Sequence, residues 1–258
     1  MSNLTTLESA WESLAERDAL HAILTDETKR DGKWTIAEFM ATGNAEIEMV
    51  LRHLAGLGCV PDWNGAALDF GCGVGRLTQA LGSHFASCTG VDISQSMIQK
   101  AQMLNQYPHC RYIQSSDARI PFPDASFSFL YSNIVLQHIP RRFAKQYLRE
   151  FLRVLAPGGV LVFGVQDSFA TPNLSSLLTR IRHILHIRSR IRSAIGISRG
   201  EMQMHCLSEG EVRRALGSAK ILDVQFTNTA AKNFNGNLSY LRQGPRSGYI
   251  GKQFCVVR

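Results

Sequence analysis

The sequence predicts an α/β chain: a mostly parallel sheet with helices on both faces. Two observations predict it. Between residues 66 and 165, short apolar runs alternate with stretches of helical period, the pattern of strands joined by crossover helices. Within that region, three glycines fall at a strand-to-helix junction, where a parallel sheet opens to ligands.

The elements follow in order. Residues 6–25 read as a helix carrying Leu7, Trp11, Leu14 and Leu20, with a break near Asp18. Asp31-Gly32 is a turn, and Thr35-x-x-Glu38 fits a capping box that opens a helix. A further helix runs from about Asn44, with Ile47, Val50, Leu51 and Leu54 on one face, and Gly56 and Gly58 end it. The alternation then gives strand 66–70, helix 75–85, strand 88–92, helix 95–105, strands 110–114 and 127–132, helix 141–154 and strand 159–165. Residues 173–195 read as one or two helices. Ser208-x-x-Glu211 is a second capping box, opening a helix to about Ser218, and Ile221–Phe226 and Gln253–Val257 read as the final strands.

Residues 67–78 read Ala-Leu-Asp-Phe-Gly-Cys-Gly-Val-Gly-Arg-Leu-Thr. Glycines there let the backbone approach a ligand closely, and the helix beyond offers free N–H groups. A dinucleotide fingerprint, G-x-G-x-x-G, needs its third glycine at position 76, which is Arg76. That disfavours a nicotinamide-dependent oxidoreductase. The motif present is Asp69-x-Gly71-Cys72-Gly73-x-Gly75.

This turn resembles motif I of the class I S-adenosylmethionine (SAM) dependent methyltransferases. Thr89-Gly-Val-Asp92-Ile93-Ser94 follows, with its acid 17 residues after Gly75. A carboxylate at the end of a strand can accept hydrogen bonds from both ribose hydroxyls, the role the family gives this position. Ser116-Asp117-Ala118 matches the segment where the family sets an acid and a backbone N–H against adenine. Leu155-x-Pro-Gly-Gly159 resembles the entry to the family's fifth strand, and Asn133-Ile-Val-Leu-Gln137-His138-Ile-Pro140 the turn after the fourth strand in small-molecule members, often called type 11. The resemblance covers about residues 45–165.

The resemblance implies a Rossmann-like seven-stranded sheet, with N-terminal helices and a helical lid inserted before two final antiparallel strands. It divides one domain into a helical cap (1–58), a SAM-binding core (59–165), a lid (166–207) and a C-terminal part (208–258). It implies SAM as cofactor, held by Asp69, Gly71, Cys72, Gly73, Gly75, Arg76, Asp92, Ile93, Asp117, Ala118 and Asn133. His138 is the candidate general base, since an imidazole suits proton removal near neutrality. Asn133 and Gln137 could equally brace the turn, and Trp11, Trp34, Phe39 and Met40 could line an acceptor pocket or pack in the core.

Composition bounds the rest. The 258 residues are 45% hydrophobic and 19% charged, ordinary globular values. Six cysteines show no C-x-x-C pair, so reduced thiols in a cytoplasmic protein are expected. No H-x-x-x-H spacing appears, and no metal is expected. No apolar run reaches the roughly 20 residues that span a bilayer. The net charge of +7 is uneven: residues 1–50 carry ten acids and four bases, and residues 180–199 six arginines, two histidines and no acid. The arginine-rich segment 177–197 has four readings in order: a lid helix with a solvated basic face, attraction of an anionic acceptor, contact with an anionic membrane surface, and RNA binding, which lacks interleaved aromatics. The expected activity is methyl transfer to a small molecule, first of all to a hydroxyl. The rivals are a nucleic-acid methyltransferase and a non-catalytic SAM-binding protein. The acceptor and the oligomeric state are left open.

Overall fold

A computed structural model of the chain describes residues 4–170 and 204–258. The arginine-rich stretch at 177–197 and most of the expected lid lie outside the described residues. The sheet strands are β1 (Ala66–Phe70), β2 (Ser87–Asp92), β3 (Cys110–Gln114), β4 (Phe127–Ser132), β5 (Leu155–Ala170), β6 (Lys220–Thr227), β7 (Tyr240–Leu241) and β8 (Gly248–Val257). Their order is β3-β2-β1-β4-β5-β8-β6-β7. β1 to β5 are parallel, with Leu68 of β1 level with Thr89 of β2 and Leu130 of β4. β8 runs against both β5 and β6, so β6 runs with the core strands, and β7, antiparallel to β6, runs against them.

The α/β class and the parallel core stand as expected, and the strand count does not. The sheet has eight strands among the described residues, not seven, because Tyr240–Leu241 pairs with β6. A two-residue strand carries no periodic signal. β5 also runs on to Ala170, past the expected end at 165, because its far half pairs with β8 from Gln166↔Gly251 to Ala170↔Gly248.

The helices are α1 (Leu4–Ile23), α2 (Ile36–Gly56), α3 (Arg76–Gly82), α4 (Gln95–Leu104), α5 (Arg141–Val154) and α6 (Glu209–Leu216). α1 breaks at Asp18, which has φ −158° and ψ 84°. Its carboxylate accepts from the N–H groups of His21 and Gly32, so it caps the second half of the helix. Both capping boxes form, at Thr35–Glu38 and Ser208–Glu211. The two helices expected across 35–56 are one. Gly43 continues the helix because α3 crosses it closely: a Cβ there would lie 2.5 Å from the Arg76 carbonyl oxygen.

Alternation along the strands builds the core on two faces. Leu68, Leu130, Leu161 and Phe163 pack with Tyr147 and Phe151 of α5 and Val212 of α6. Ala67, Phe129, Tyr131 and Val162 pack with Ile47, Val50 and Leu54 of α2 and Leu81 of α3. A third cluster joins Ala15, Leu24, Trp34, Phe39, Val74 and Phe234, and so seats the N-terminal helices on the glycine turn. Trp34, Phe39 and Met40 are spent on that packing.

Strand order reverses between β1 and β4, so the chain leaving β1 turns one way and the chain leaving β4 the other. The crevice between them is where such sheets bind ligands.

Candidate cofactor and acceptor site

A cavity of about 1390 Å³ opens at that crevice. It exceeds the roughly 300–1,000 Å³ usual for a single small ligand. Its walls include Gly71, Gly73, Asp92, Ile93 and Ser115 at the strand ends, Trp11 and His21 of α1, and Ile134 to Ile139 after β4 apart from Leu136. The floor toward β5 and β8 includes Gln166 and Tyr249.

The glycine turn has a left-handed backbone at all three glycines, with φ of +80°, +52° and +84° at Gly71, Gly73 and Gly75. No L side chain takes such angles readily. A Cβ on Gly73 would lie 2.5 Å from the Ile23 Cδ1, and one on Gly75 2.7 Å from the Tyr112 hydroxyl. The backbone N–H of Gly73 donates to Asp92 Oδ2 at 2.8 Å, and that of Ser94 to Oδ1 at 2.9 Å. Each carboxylate oxygen keeps a further lone pair, enough to receive two ribose hydroxyls from the cavity. Burial pushes the Asp92 carboxyl up, against the N–H groups of Ser94 and Gly73. Glu12 of α1 accepts from the Ser96 N–H and draws the helix over this end of the site.

Other residues expected at the cofactor lie elsewhere. Asp69 is 1% exposed and accepts from the Thr78 hydroxyl at 2.6 Å, under the turn rather than in the cavity. Cys72 is buried, its thiol raised by burial. Arg76 is 2% exposed and pairs with Glu46 Oε2 at 2.7 Å. Asn133 gives its amide N–H to Glu46 Oε1 at 2.7 Å and accepts from the Ile134 N–H at 3.0 Å. Glu46 also accepts from the Tyr131 hydroxyl at 2.8 Å. Asp117 is exposed and outside the cavity wall, as is half-buried Ala118; the Asp117 carbonyl holds the Tyr147 hydroxyl. The side-chain hydrogen bonds of Arg76 and Asn133 run to internal partners, and neither residue is in the cavity wall.

Sequence reasoning missed Glu46. It passes for a surface acid of a helix. The signal was its place on the stripe Gly43, Glu46, Val50, Leu54, which is buried throughout.

Asp69 yields a pH prediction. Burial pushes its carboxyl to about 7, against the Thr78 hydroxyl bond that lowers it. In the unfolded chain it titrates near 3.9. The folded state therefore holds the proton longer. The stability this contributes is complete below about pH 4 and is lost as pH rises through about 7. Asp69→Asn should flatten this fall, read as unfolding midpoints at pH 5 and pH 8. Equal pH dependence in both proteins would mean that Asp69 is ionised in the fold.

His138 lies against Trp11, ring centroids 5.4 Å apart and nearly perpendicular. Its Nε2 is 3.3 Å from the Gln137 amide nitrogen. With that amide nitrogen as the donor, the assigned tautomer has the lone pair on Nε2 and the proton on Nδ1. Nδ1 is buried without a partner. Burial, aided by His205, lowers the ring to about 4. The imidazole is neutral at physiological pH and presents an N–H. That suits a hydrogen-bond donor, and does not suit a base poised near neutrality.

Fold and strand order are those of the class I SAM-dependent methyltransferases. Residues 68–163 match the family model described as a methyltransferase domain. Among curated proteins the chain is similar to a malonyl-[acyl-carrier protein] O-methyltransferase of Enterobacter lignolyticus, 29% identical over 146 residues, 55% of this chain and 57% of the relative. It is also similar to a trans-aconitate 2-methyltransferase of Variovorax paradoxus, 32% identical over 107 residues, 41% of this chain and 40% of the relative. The chain thus spans about half the length of these relatives. Among solved structures it shares the fold of the SAM-bound magnesium protoporphyrin IX methyltransferase of Synechocystis, with TM-score 0.59, 17% identity, and 100% and 98% of the two chains covered. Among the described residues no helix is long and apolar enough to cross a membrane, and no group of three or more acidic, histidine or cysteine side chains could hold a metal.

Proposed function

We propose that the protein is a SAM-dependent O-methyltransferase of small molecules, and that its acceptor oxygen is acidic enough to be ionised near neutrality. The carrying observation is the cavity, continuous from Gly73 and Asp92 to His138 and larger than one ligand needs. Gly71 and Gly73 offer bare backbone, Asp92 receives the ribose hydroxyls, and Ile93 and Ser115 flank the adenine. Bound SAM would supply a methyl group on a sulfonium, already activated toward displacement.

The chain's own task is then alignment and exclusion of water. Trp11 and Ile134 wall the acceptor side, and the His138 Nδ1–H can hold an oxygen there. Burial lowers both His138 and His205 at this end, so neither is tuned toward proton removal near neutrality. An unionised aliphatic hydroxyl would find only these weakened bases for its proton, whereas a carboxylate or an acidic hydroxyl has none to lose. Acceptors of that kind fit the names of the relatives, a malonyl group and trans-aconitate. The cavity wall carries Arg17, Arg30 and Lys232 against Asp18, Glu27, Asp31 and Asp92, so an acceptor's negative charge is not drawn in by net positive charge of the described wall. Nucleic-acid modification has only the segment at 180–199 in its favour. A non-catalytic SAM-binding role has no support in a cavity with room beyond the cofactor.

The test uses SAM with a labelled methyl group, incubated with the protein and with small-molecule, lipid and RNA fractions of a cell extract. Label in an acidic small molecule, stable as an ester or ether, is the expected result. Label confined to RNA or lipid overturns the proposal.

A further inference from the structure

Gln166 stands on β5 just past the level of the β4 end, since Phe163 is level with Ser132. It lines the cavity, is 2% exposed, and its amide oxygen is buried with no hydrogen-bond partner. Buried amide oxygens are almost always paired, and an orphan destabilises the fold that carries it. One strap of chain ties the His138 turn and Gln166 to the same cavity wall. The His205 N–H donates to the Gln137 carbonyl at 2.7 Å, and the Leu207 N–H to the Gln166 carbonyl at 2.8 Å. His138 brings the complementary orphan, an unpartnered Nδ1–H. The turn that presents it is strained. Ile134, β-branched, has φ +54°, held there by the Asn133 side-chain oxygen on its N–H. Strain of this kind persists where the surrounding structure enforces it, commonly at binding sites.

One unpaired acceptor and one unpaired donor at the same end of a cavity define what is missing. We propose that Gln166 and His138 are the acceptor-recognising pair: the Gln166 amide oxygen receives a hydroxyl of the acceptor, and the His138 Nδ1–H donates to an ionised oxygen beside it. The substrate class is therefore a small hydroxy acid, or an equivalent with an acidic oxygen next to a hydroxyl. This rests on the methyltransferase reading and refines its acceptor. Gln166 lies beyond the family-model match at 68–163. Its role comes from the tertiary geometry alone.

The variants Gln166→Leu and Gln166→Met remove the orphan oxygen at similar volume. Three quantities are measured for each: the unfolding midpoint without ligand, the affinity for S-adenosylhomocysteine (SAH), and transfer of labelled methyl from SAM into the small-molecule fraction. The expected result is an unchanged or raised midpoint, SAH affinity within about twofold of wild type, and transfer lowered by about 10-fold or more. A structural glutamine would behave oppositely, with a lowered midpoint and transfer falling only with fold stability. Ring nitrogen shifts of His138 in the SAH complex should report the Nδ1–H tautomer. Unchanged transfer in both glutamine variants, a lowered midpoint in both, or the Nε2–H tautomer overturns the proposal. If the wild type binds no SAH, the methyltransferase reading itself falls and takes the proposal with it. If it binds SAH yet labels only RNA or lipid, only the acceptor assignment fails.

Discussion

Replacing Arg76 by methionine is expected to destabilise the fold by about 3–5 kcal/mol, while the folded protein keeps its affinity for SAH. The two halves of this result separate two roles for one residue. By its position directly after the third glycine, Arg76 reads as part of a cofactor turn. In the fold its guanidinium bonds Glu46 and the Thr42 hydroxyl, with both members of the ion pair shut off from water. Removing the cation strands a carboxylate that is 0% exposed, with only the neutral donors Tyr131 and Asn133 left to it. A buried charge without its counter-charge accounts for the large effect. Denaturant unfolding gives the first quantity and titration of the folded protein gives the second. A variant that unfolds like wild type but binds SAH weakly would return Arg76 to the cofactor site.

Asp92→Ala should show the reverse pattern. Loss of SAH affinity by about 1–3 kcal/mol, roughly 5- to 150-fold, is expected, with a smaller effect on stability. The Asp92 carboxylate lines the cavity at the end of β2 and is already fixed from behind, by the Gly73 and Ser94 N–H groups. Ala removes the proposed ribose partner and also frees the Gly73 N–H, so the turn should loosen as the ligand contact is lost. Asp92→Asn keeps one oxygen and should lie between wild type and Ala. Titration calorimetry with SAH measures all three. Equal affinity in all three would remove Asp92 from the site and displace the cofactor from this end of the sheet.

These two variants mark how far the sequence carries. Asp69, Arg76 and Asp92 all stand in or near short Gly-rich motifs, and the motif text treats them alike. What separates them is direction. Asp92 ends β2 and points where the sheet opens. Asp69 lies in β1 beneath the turn, bonded to Thr78, and Arg76 begins a helix whose side chains are turned inward. Side-chain direction depends on where strand and helix cross, and that is a property of the whole fold.

By itself the sequence determined the alternation of strands and helices, the parallel core, the break at Asp18, both capping boxes and the class of the domain. Each rests on local order: apolar period, turn chemistry, glycines that alone accept φ above zero. Only the tertiary structure decided the eighth strand, the continuity of α2 through Gly43, the buried Glu46 network and the placing of Gln166 and His138 in one cavity wall. Each of these depends on partners far apart in the chain. Glu46 and Asn133 are 87 residues apart, and Gln166 is tied to the turn after β4 through a strap that begins beyond residue 203. A carboxylate or an amide reads the same in a sequence whether it will face water or a closed interior. The surroundings that settle its hydrogen bonds, and hence its role, exist only once the sheet has brought those distant segments together.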